Sequence, residues 1–191
     1  MKKIILASTS PRRKELLSQL GLEFKIVATD YKEDMVSELP PLELAKHLSR
    51  GKVESATKDH KDCLIIAADT FVVLEKKLLG KPRTEAGAIE MLREISGKAV
   101  SVITGFTVMD TSNDKIISKA VETKVFIKDL TENEIKNYVA SKEPMDKAGA
   151  FAIQGLGAVI VEKIEGDYFN VIGLSLCTLS EVLKKFGVTV L

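Results

Sequence analysis

The stretch Cys63-Leu64-Ile65-Ile66-Ala67-Ala68-Asp69-Thr70-Phe71-Val72-Val73-Leu74 is apolar on both sides of one carboxylate and one hydroxyl. Its length and its β-branched content read as a long strand, interrupted at its centre by Asp69-Thr70. A charge there sits mid-strand or at a strand's end, where burial is costly unless a partner offsets it. A lone Asp at a strand end is commonly a turn former. Because the apolar run resumes at Phe71, the turn reading weakens, and a general base or a metal ligand becomes an equal alternative.

The rest of the chain alternates strand and helix patterns around this segment. Lys3 to Ala7 reads as a short buried strand, followed by a helix from Pro11 to Leu20 with Ser10 as N-cap, Pro11 in the first helical position and Gly21 at its end. Phe24 to Val27 is a second strand. Apolar residues recur at helical spacing from Leu42 to about Ala56, after the Pro40-Pro41 pair. The charged turn Glu75-Lys76-Lys77 lets Leu78-Leu79 run back antiparallel. Thr84 caps a helix reaching about Ile95, and Ala99 to Met109 and Ile116 to Phe126 are long β segments joined by a turn at Thr111 to Asp114. Thr131 and Glu134 form a capping box whose helix ends before Pro144. Ala148 to Gly157 is glycine-rich, and beyond it a strand from Ala158 to Ile164, a hairpin tip at Glu165-Gly166-Asp167 and a last helix from about Leu174 to Phe186 are expected. No linker, repeat or low-complexity segment divides the chain, so residues 1–191 are expected to form a single bilobed domain of the α/β class.

Charge excludes several function classes. With 28 basic and 27 acidic residues, the chain has no whole-molecule field for nucleic acid or an anionic membrane, so an anion site must be local. Its apolar runs are far shorter than the roughly 20 residues that span a bilayer. The opening Met1-Lys2-Lys3, then Ile4 to Ala7, is too short in its apolar part for a signal peptide's core, and the expected location is the cytoplasm. Cys63 and Cys177, each flanked by Leu or Ile, read as small buried hydrophobes rather than as a disulfide pair. Only two histidines are present, so metal chemistry would have to use carboxylates.

Two further residue choices conflict with their local structure. Arg12, Arg13 and Lys14 occupy the first turn of the N-terminal helix, where the dipole favours anions. A solvated basic turn and an oxyanion or phosphate site explain them equally well. In the Leu42 helix the apolar stripe runs Ala45, Leu48, position 52, Ala56, so Lys52 stands where a core residue belongs. It either snorkels to the surface or lines a cleft as a phosphate clamp. Gly155-Leu156-Gly157 lacks the rest of a dinucleotide fingerprint, and Gly80-Lys81-Pro82 reads better as a turn that positions a cation than as a P-loop.

Ala7-Ser8-Thr9-Ser10-Pro11-Arg12-Arg13-Lys14-Glu15-Leu16-Leu17 resembles the opening motif of the Maf family of nucleotide pyrophosphatases, once named as septum-formation inhibitors. Ala68-Asp69-Thr70, Gly80-Lys81-Pro82, Ser96-Gly97, Glu143 to Gly149, Ile153-Gln154-Gly155, Glu165 to Tyr168 and Val171 to Leu174 follow in that family's order. The resemblance covers essentially the whole chain. It implies the fold of the inosine triphosphate pyrophosphatases (the Maf/Ham1 fold): an elongated, twisted mixed sheet with flanking helices and a cleft between two lobes. It also implies hydrolysis of a nucleoside triphosphate between the α and β phosphates with a divalent metal, Mg²⁺ or Mn²⁺, and a homodimer.

On this resemblance Asp69 is the catalytic residue, a general base toward the attacking water that shares the metal with Glu33. Ser8, Ser10, Arg13, Lys52 and Lys81 are expected on the phosphates. Arg12, Thr70 and Gln154 fall at the positions that separate the family's branches, and this combination resembles the branch acting on dTTP and UTP. The branch resembling 7-methyl-GTP pyrophosphatases has Trp, Gln and Glu there. A Gln side chain presents a donor and an acceptor, which matches the N3–H and carbonyl of uracil or thymine. The rival reading is a nucleotide-binding regulator of septum formation that acts through a protein partner.

Overall fold

The computed structural model describes residues 2–31 and 38–191. In chain order its elements are β1 (Lys3–Leu6), α1 (Pro11–Ser18), β2 (Phe24–Ile26), α2 (Pro41–Ala56), β3 (Cys63–Leu74), β4 (Lys77–Leu79), α3 (Glu85–Ile95), β5 (Ala99–Asp110), β6 (Lys115–Ile127), α4 (Glu132–Ala140), β7 (Val161–Glu165), α5 (Tyr168–Ile172) and α6 (Leu176–Lys184). Three 3₁₀ segments, Glu143–Asp146, Ala148–Ala150 and Gly155–Ile160, lie between α4 and β7.

Among the described residues seven strands form one mixed sheet in the order β2-β1-β3-β5-β6-β7, with β4 paired to β3. β1 runs parallel to β2 and to β3, whereas β4 returns antiparallel on β3 and β7 lies antiparallel to β6. This is the α/β class and the mixed sheet with flanking helices that the sequence leads one to expect. The interruption at Asp69-Thr70 does not break β3, which runs unbroken from Cys63 to Leu74 with only Thr70 less than fully buried.

The chain divides into two compact units. The first comprises residues 1–69, 104–121 and 173–191, the second residues 70–103 and 122–172, so β3, β5 and β6 each supply residues to both. In the first unit Ile5 and Ala7 of the first strand segment and Cys63, Ile65 and Ala67 of β3 pack with Val53 and Ala56 of α2. The alternation is the period-2 pleat that places every second residue of a strand on one face. In the second unit, Ala88, Leu92 and Ile95 of α3 and Ile135, Tyr138 and Val139 of α4 share a core with Val72, Leu74, Val100, Val102, Val125 and Ile127.

Local chemistry explains the helix starts. Ser10 accepts from the Arg13 amide with Pro11 at N1, Thr84 accepts from the Gly87 amide, and Thr131 and Glu134 form a reciprocal capping box.

Four expectations need correction. Ala158 to Ile160 is not strand but the end of the 3₁₀ segment Gly155–Ile160, and β7 begins only at Val161. Glu165-Gly166-Asp167 is not a hairpin tip: Asp167 Oδ1 accepts from the amides of Phe169 and Asn170 and so starts α5, a helix absent from the sequence reading. The last helix, expected from about Leu174 to Phe186, spans Leu176–Lys184. Cys63 is buried as expected, whereas Cys177 is exposed.

Candidate active site

Asp69 and Lys52 meet within the first unit. The pleat that puts Cys63, Ile65 and Ala67 on the α2 side of β3 carries Asp69 to that side as well. On α2 the buried stripe is Leu44, Ala45, Leu48, Ser49, Lys52, Val53 and Ala56, so the lysine does face inward. Its ammonium donates to Asp69 Oδ1, and the two residues keep only 8% and 6% of their surface exposed. Either charge alone would be expensive to bury; in hydrogen-bond contact they offset each other's desolvation.

Two features fix where α2 lies. The Ser49 and Thr107 hydroxyls are 2.9 Å apart in a fully buried contact, and Thr107 is 2.8 Å from the Ser118 hydroxyl, so a chain of hydroxyls joins α2 to β5 and β6 one turn before Lys52. Gly105 allows the backbones to touch, because a Cβ there would overlap the Ala45 carbonyl of α2. Neither Ser49 nor Gly105 was read as functional from the sequence. A serine on an otherwise apolar stripe, three residues before a buried lysine, was the available signal.

A second cluster forms where β1 gives way to α1. β1 and β3 are parallel with Leu6 opposite Ile66, so Ser8 and Asp69 both lie just past the carboxyl end of the paired segment, the end at which open α/β sheets bind ligands. Arg13 Nη1 donates to Ser8 Oγ at 3.3 Å and Arg13 Nε donates to the Gly173 carbonyl at 3.0 Å. Both contacts orient the guanidinium. The Ser10 amide donates to Ser8 Oγ at 3.3 Å, which draws the two serines and Arg13 into one cluster. Arg12 is half-buried beside it, and the first turn of α1 contains no acidic residue.

Thr70, Lys81 and Gln154 belong to the second unit. Thr70 is half-buried and follows Asp69 on the opposite face of the pleat. Lys81 is exposed in the segment after β4, where the Gly149 amide donates to the Gly80 carbonyl at 3.0 Å and holds that turn. Gln154 is half-buried, directly before the 3₁₀ segment Gly155–Ile160, and its side chain does not cap that segment.

Around Gln154 lies a network to which the sequence assigned no role. Glu143 accepts from the Leu156 amide (Oε2, 2.9 Å), from the Gly157 amide (Oε1, 2.8 Å) and from the Tyr138 hydroxyl (Oε1, 3.0 Å). Tyr138 Oη in turn accepts from the Ala152 amide at 3.2 Å. Burial pushes the Glu143 carboxyl up, but the two amides, the Tyr138 hydroxyl and the Lys147 charge outweigh it and leave the group below its usual range. Burial and the neighbouring Glu143 carboxylate raise the Tyr138 hydroxyl, which stays a donor.

Residues 3–186 match the model of a family described as Maf-like protein. The chain belongs to the Maf family. Among curated Maf relatives, a protein of Dictyoglomus turgidum named dTTP/UTP pyrophosphatase is 44% identical over 191 residues, covering 100% of this chain and 99% of the relative. One of the same name from Thermoanaerobacter sp. is 49% identical over 184 residues and 96% of each chain. Among solved structures, a Ham1 protein from Coxiella burnetii superposes with a TM-score of 0.52 over 97% of this chain and 100% of its own, at 19% identity. That likeness is one of fold, and it is the Maf/Ham1 architecture expected from the motifs.

Within this Maf chain the structure brings Lys52 to Asp69 and Arg13 to Ser8 and Ser10. Glu33, expected with Asp69 on a metal, lies outside the described residues. Among the described residues no group of three or more His, Cys, Asp or Glu could hold a metal ion, so they form no all-protein cage. Mg²⁺ and Mn²⁺ need no such cage, since they are commonly held by one or two carboxylates together with substrate phosphates and water. No helix among the described residues is long and apolar enough to cross a membrane.

Proposed function

We propose that this chain is a nucleoside triphosphate pyrophosphatase that hydrolyses dTTP and UTP to the monophosphate and pyrophosphate, clearing normal or modified pyrimidine nucleotides from the precursor pool. The buried Lys52–Asp69 pair carries the reading. A carboxylate kept beside a cation in the middle of an apolar strand has no packing rationale, and the curated relatives quoted above bear the corresponding name over nearly their whole length.

In the proposed reaction water attacks the α-phosphorus, its proton passes to Asp69, and the α–β bond breaks with the bridging oxygen leaving on pyrophosphate. Arg13, oriented by Ser8 and the Gly173 carbonyl, faces developing phosphate charge, and Lys52 shares its protons between Asp69 and a phosphate oxygen. Ser10 and Ser8 offer hydroxyl or backbone donors, and Lys81 is a further phosphate cation. Thr70 and Gln154 are assigned to the base, and Arg12 to the mouth of its pocket. A divalent cation held by Asp69 and Glu33 would neutralise phosphate charge.

Turnover of a panel of canonical and modified triphosphates, read as phosphate release with a coupling pyrophosphatase, tests this reading. Preference for dTTP and UTP, loss of activity in EDTA, recovery with Mg²⁺ or Mn²⁺ and a raised metal requirement in Glu33→Gln are the expected results. Nucleotide binding without turnover would favour the regulatory alternative, and full activity in chelator would remove the metal.

A further inference from the structure

We propose that Glu143 and Tyr138 are positioning residues for Gln154, and that through it they set how strongly the protein prefers one nucleobase over another. The proposal rests on the reading of Gln154 as the residue that faces the base. Backbone bonds on both sides of Gln154 end on this one pair of side chains. Two residues before it, the Ala152 amide donates to Tyr138 Oη; two and three residues after it, the Leu156 and Gly157 amides donate to Glu143. The Tyr138–Glu143 hydrogen bond closes the frame.

Such a frame is needed because the segment it holds cannot hold itself. Gly155 has φ +64, in the left-handed region, and a Cβ on it would run into the Glu143 carboxylate, so the glycine lets the backbone wrap around that carboxylate. The six residues Gly155–Ile160 are 3₁₀, whose first amides have no partner within the turn. Glu143 supplies that partner for two of them, and does so from another segment of the chain. A side chain that discriminates bases by hydrogen bonds must be held to within about 0.5 Å of its working position. Gln154 caps nothing of its own, so its backbone is what fixes it.

Glu143→Gln is the sharpest probe, since an amide has one acceptor oxygen, and its NH₂ would face one of the two backbone donors. Tyr138→Phe removes the link to Ala152 and is the milder variant. The measurements are the Kd of non-hydrolysable dTTP and dGTP analogues by calorimetry, with kcat and KM on the hydrolysable nucleotides, for wild type, Glu143→Gln, Tyr138→Phe, Gln154→Ala and the Glu143→Gln/Gln154→Ala double variant. Glu143→Gln is expected to cut the thymine-over-guanine preference about tenfold, mainly through Kd and KM rather than kcat, with Tyr138→Phe changing it in the same direction by less. In the Gln154→Ala background Glu143→Gln should change the preference no further. An unchanged preference in folded Glu143→Gln overturns the proposal; should that variant not fold, an unchanged preference in Tyr138→Phe does so. Equal losses for both bases that persist without Gln154 also overturn it, since they indicate structural support alone. A wild type that binds both analogues equally removes the role of Gln154 and this proposal with it. Absence of dTTP and UTP turnover in a wild type that still discriminates in binding would instead defeat the proposed function and leave the positioning role standing.

Discussion

Lys52 Nζ donates to Asp69 Oδ1 with both side chains at least nine-tenths buried, and the two residues come from a helix and a strand that share one apolar core. Asp69→Asn keeps the shape but cannot accept a water's proton. It should lower hydrolysis by about 10² to 10⁴-fold while circular dichroism and gel filtration stay those of the wild type. Near-normal turnover in the folded variant would take Asp69 out of the mechanism.

The same pair makes a prediction about stability. Lys52→Met removes the ammonium that donates to Asp69 Oδ1 and should cost about 3 to 5 kcal/mol in urea unfolding, whereas the double variant Lys52→Met/Asp69→Asn should regain a large part of that loss. Additive losses would mean that the two charges are not energetically coupled.

Gly105→Val should destabilise the first unit by about 1 to 3 kcal/mol, because the new Cβ meets the Ala45 carbonyl, a backbone group that cannot rotate away. Since Ala45 and Lys52 sit on the same buried face of α2, activity should fall with stability. Unaltered thermal unfolding would show that α2 can shift without penalty.

Acid stability depends on Asp110. Burial would raise this carboxyl, but the Lys2 ammonium and the Ser112 hydroxyl and amide hydrogen-bond to it and hold it down at about 2, below the ordinary 3.8. A depressed folded-state value favours the carboxylate, so its contribution is complete above about pH 4 and disappears as pH falls through about 2. Asp110→Asn should therefore be less stable than wild type at pH 7, and the gap should close on acidification over that window. A gap that stays constant down to pH 2 would contradict the assignment.

Legibility in the sequence followed the range of the forces involved. α3 and α4 were readable because a cap residue and an apolar period lie within one short window, and β3 because its apolar run resumes directly after Asp69-Thr70. Lys52 was legible as a conflict, a lysine on a core stripe, although its partner was not; the residue that resolved it is 17 positions away. Residues 143–160 were not legible in the sequence, because what orders them is not local. Their 3₁₀ turns have too few residues for a period to show, Lys142 and Ala150 adopt positive φ without being glycine, and Glu143 organises amides 13 and 14 residues downstream. Asp167 looked like a turn residue because Gly–Asp punctuation is shared by hairpin tips and helix starts.

Specificity gives the last test. If Gln154 hydrogen-bonds the pyrimidine edge, Gln154→Glu replaces an amide donor with a second acceptor, which would face a uracil or thymine carbonyl. An unpaired or repelled hydrogen bond in a desolvated site costs about 1 to 3 kcal/mol, or roughly ten- to a hundredfold in kcat/KM. The carboxylate has nearly the size of the amide, and Gln154 is only half-buried with no capping role, so the fold should tolerate the change. The loss should therefore be selective: dTTP and UTP hydrolysis falls by about that factor, while purine triphosphates, however slowly they react, lose less. Gln154→Ala should cost the pyrimidines less than Gln154→Glu does, because deletion removes an attraction without adding a repulsion. An equal fall for every base would place Gln154 with the phosphate chemistry instead.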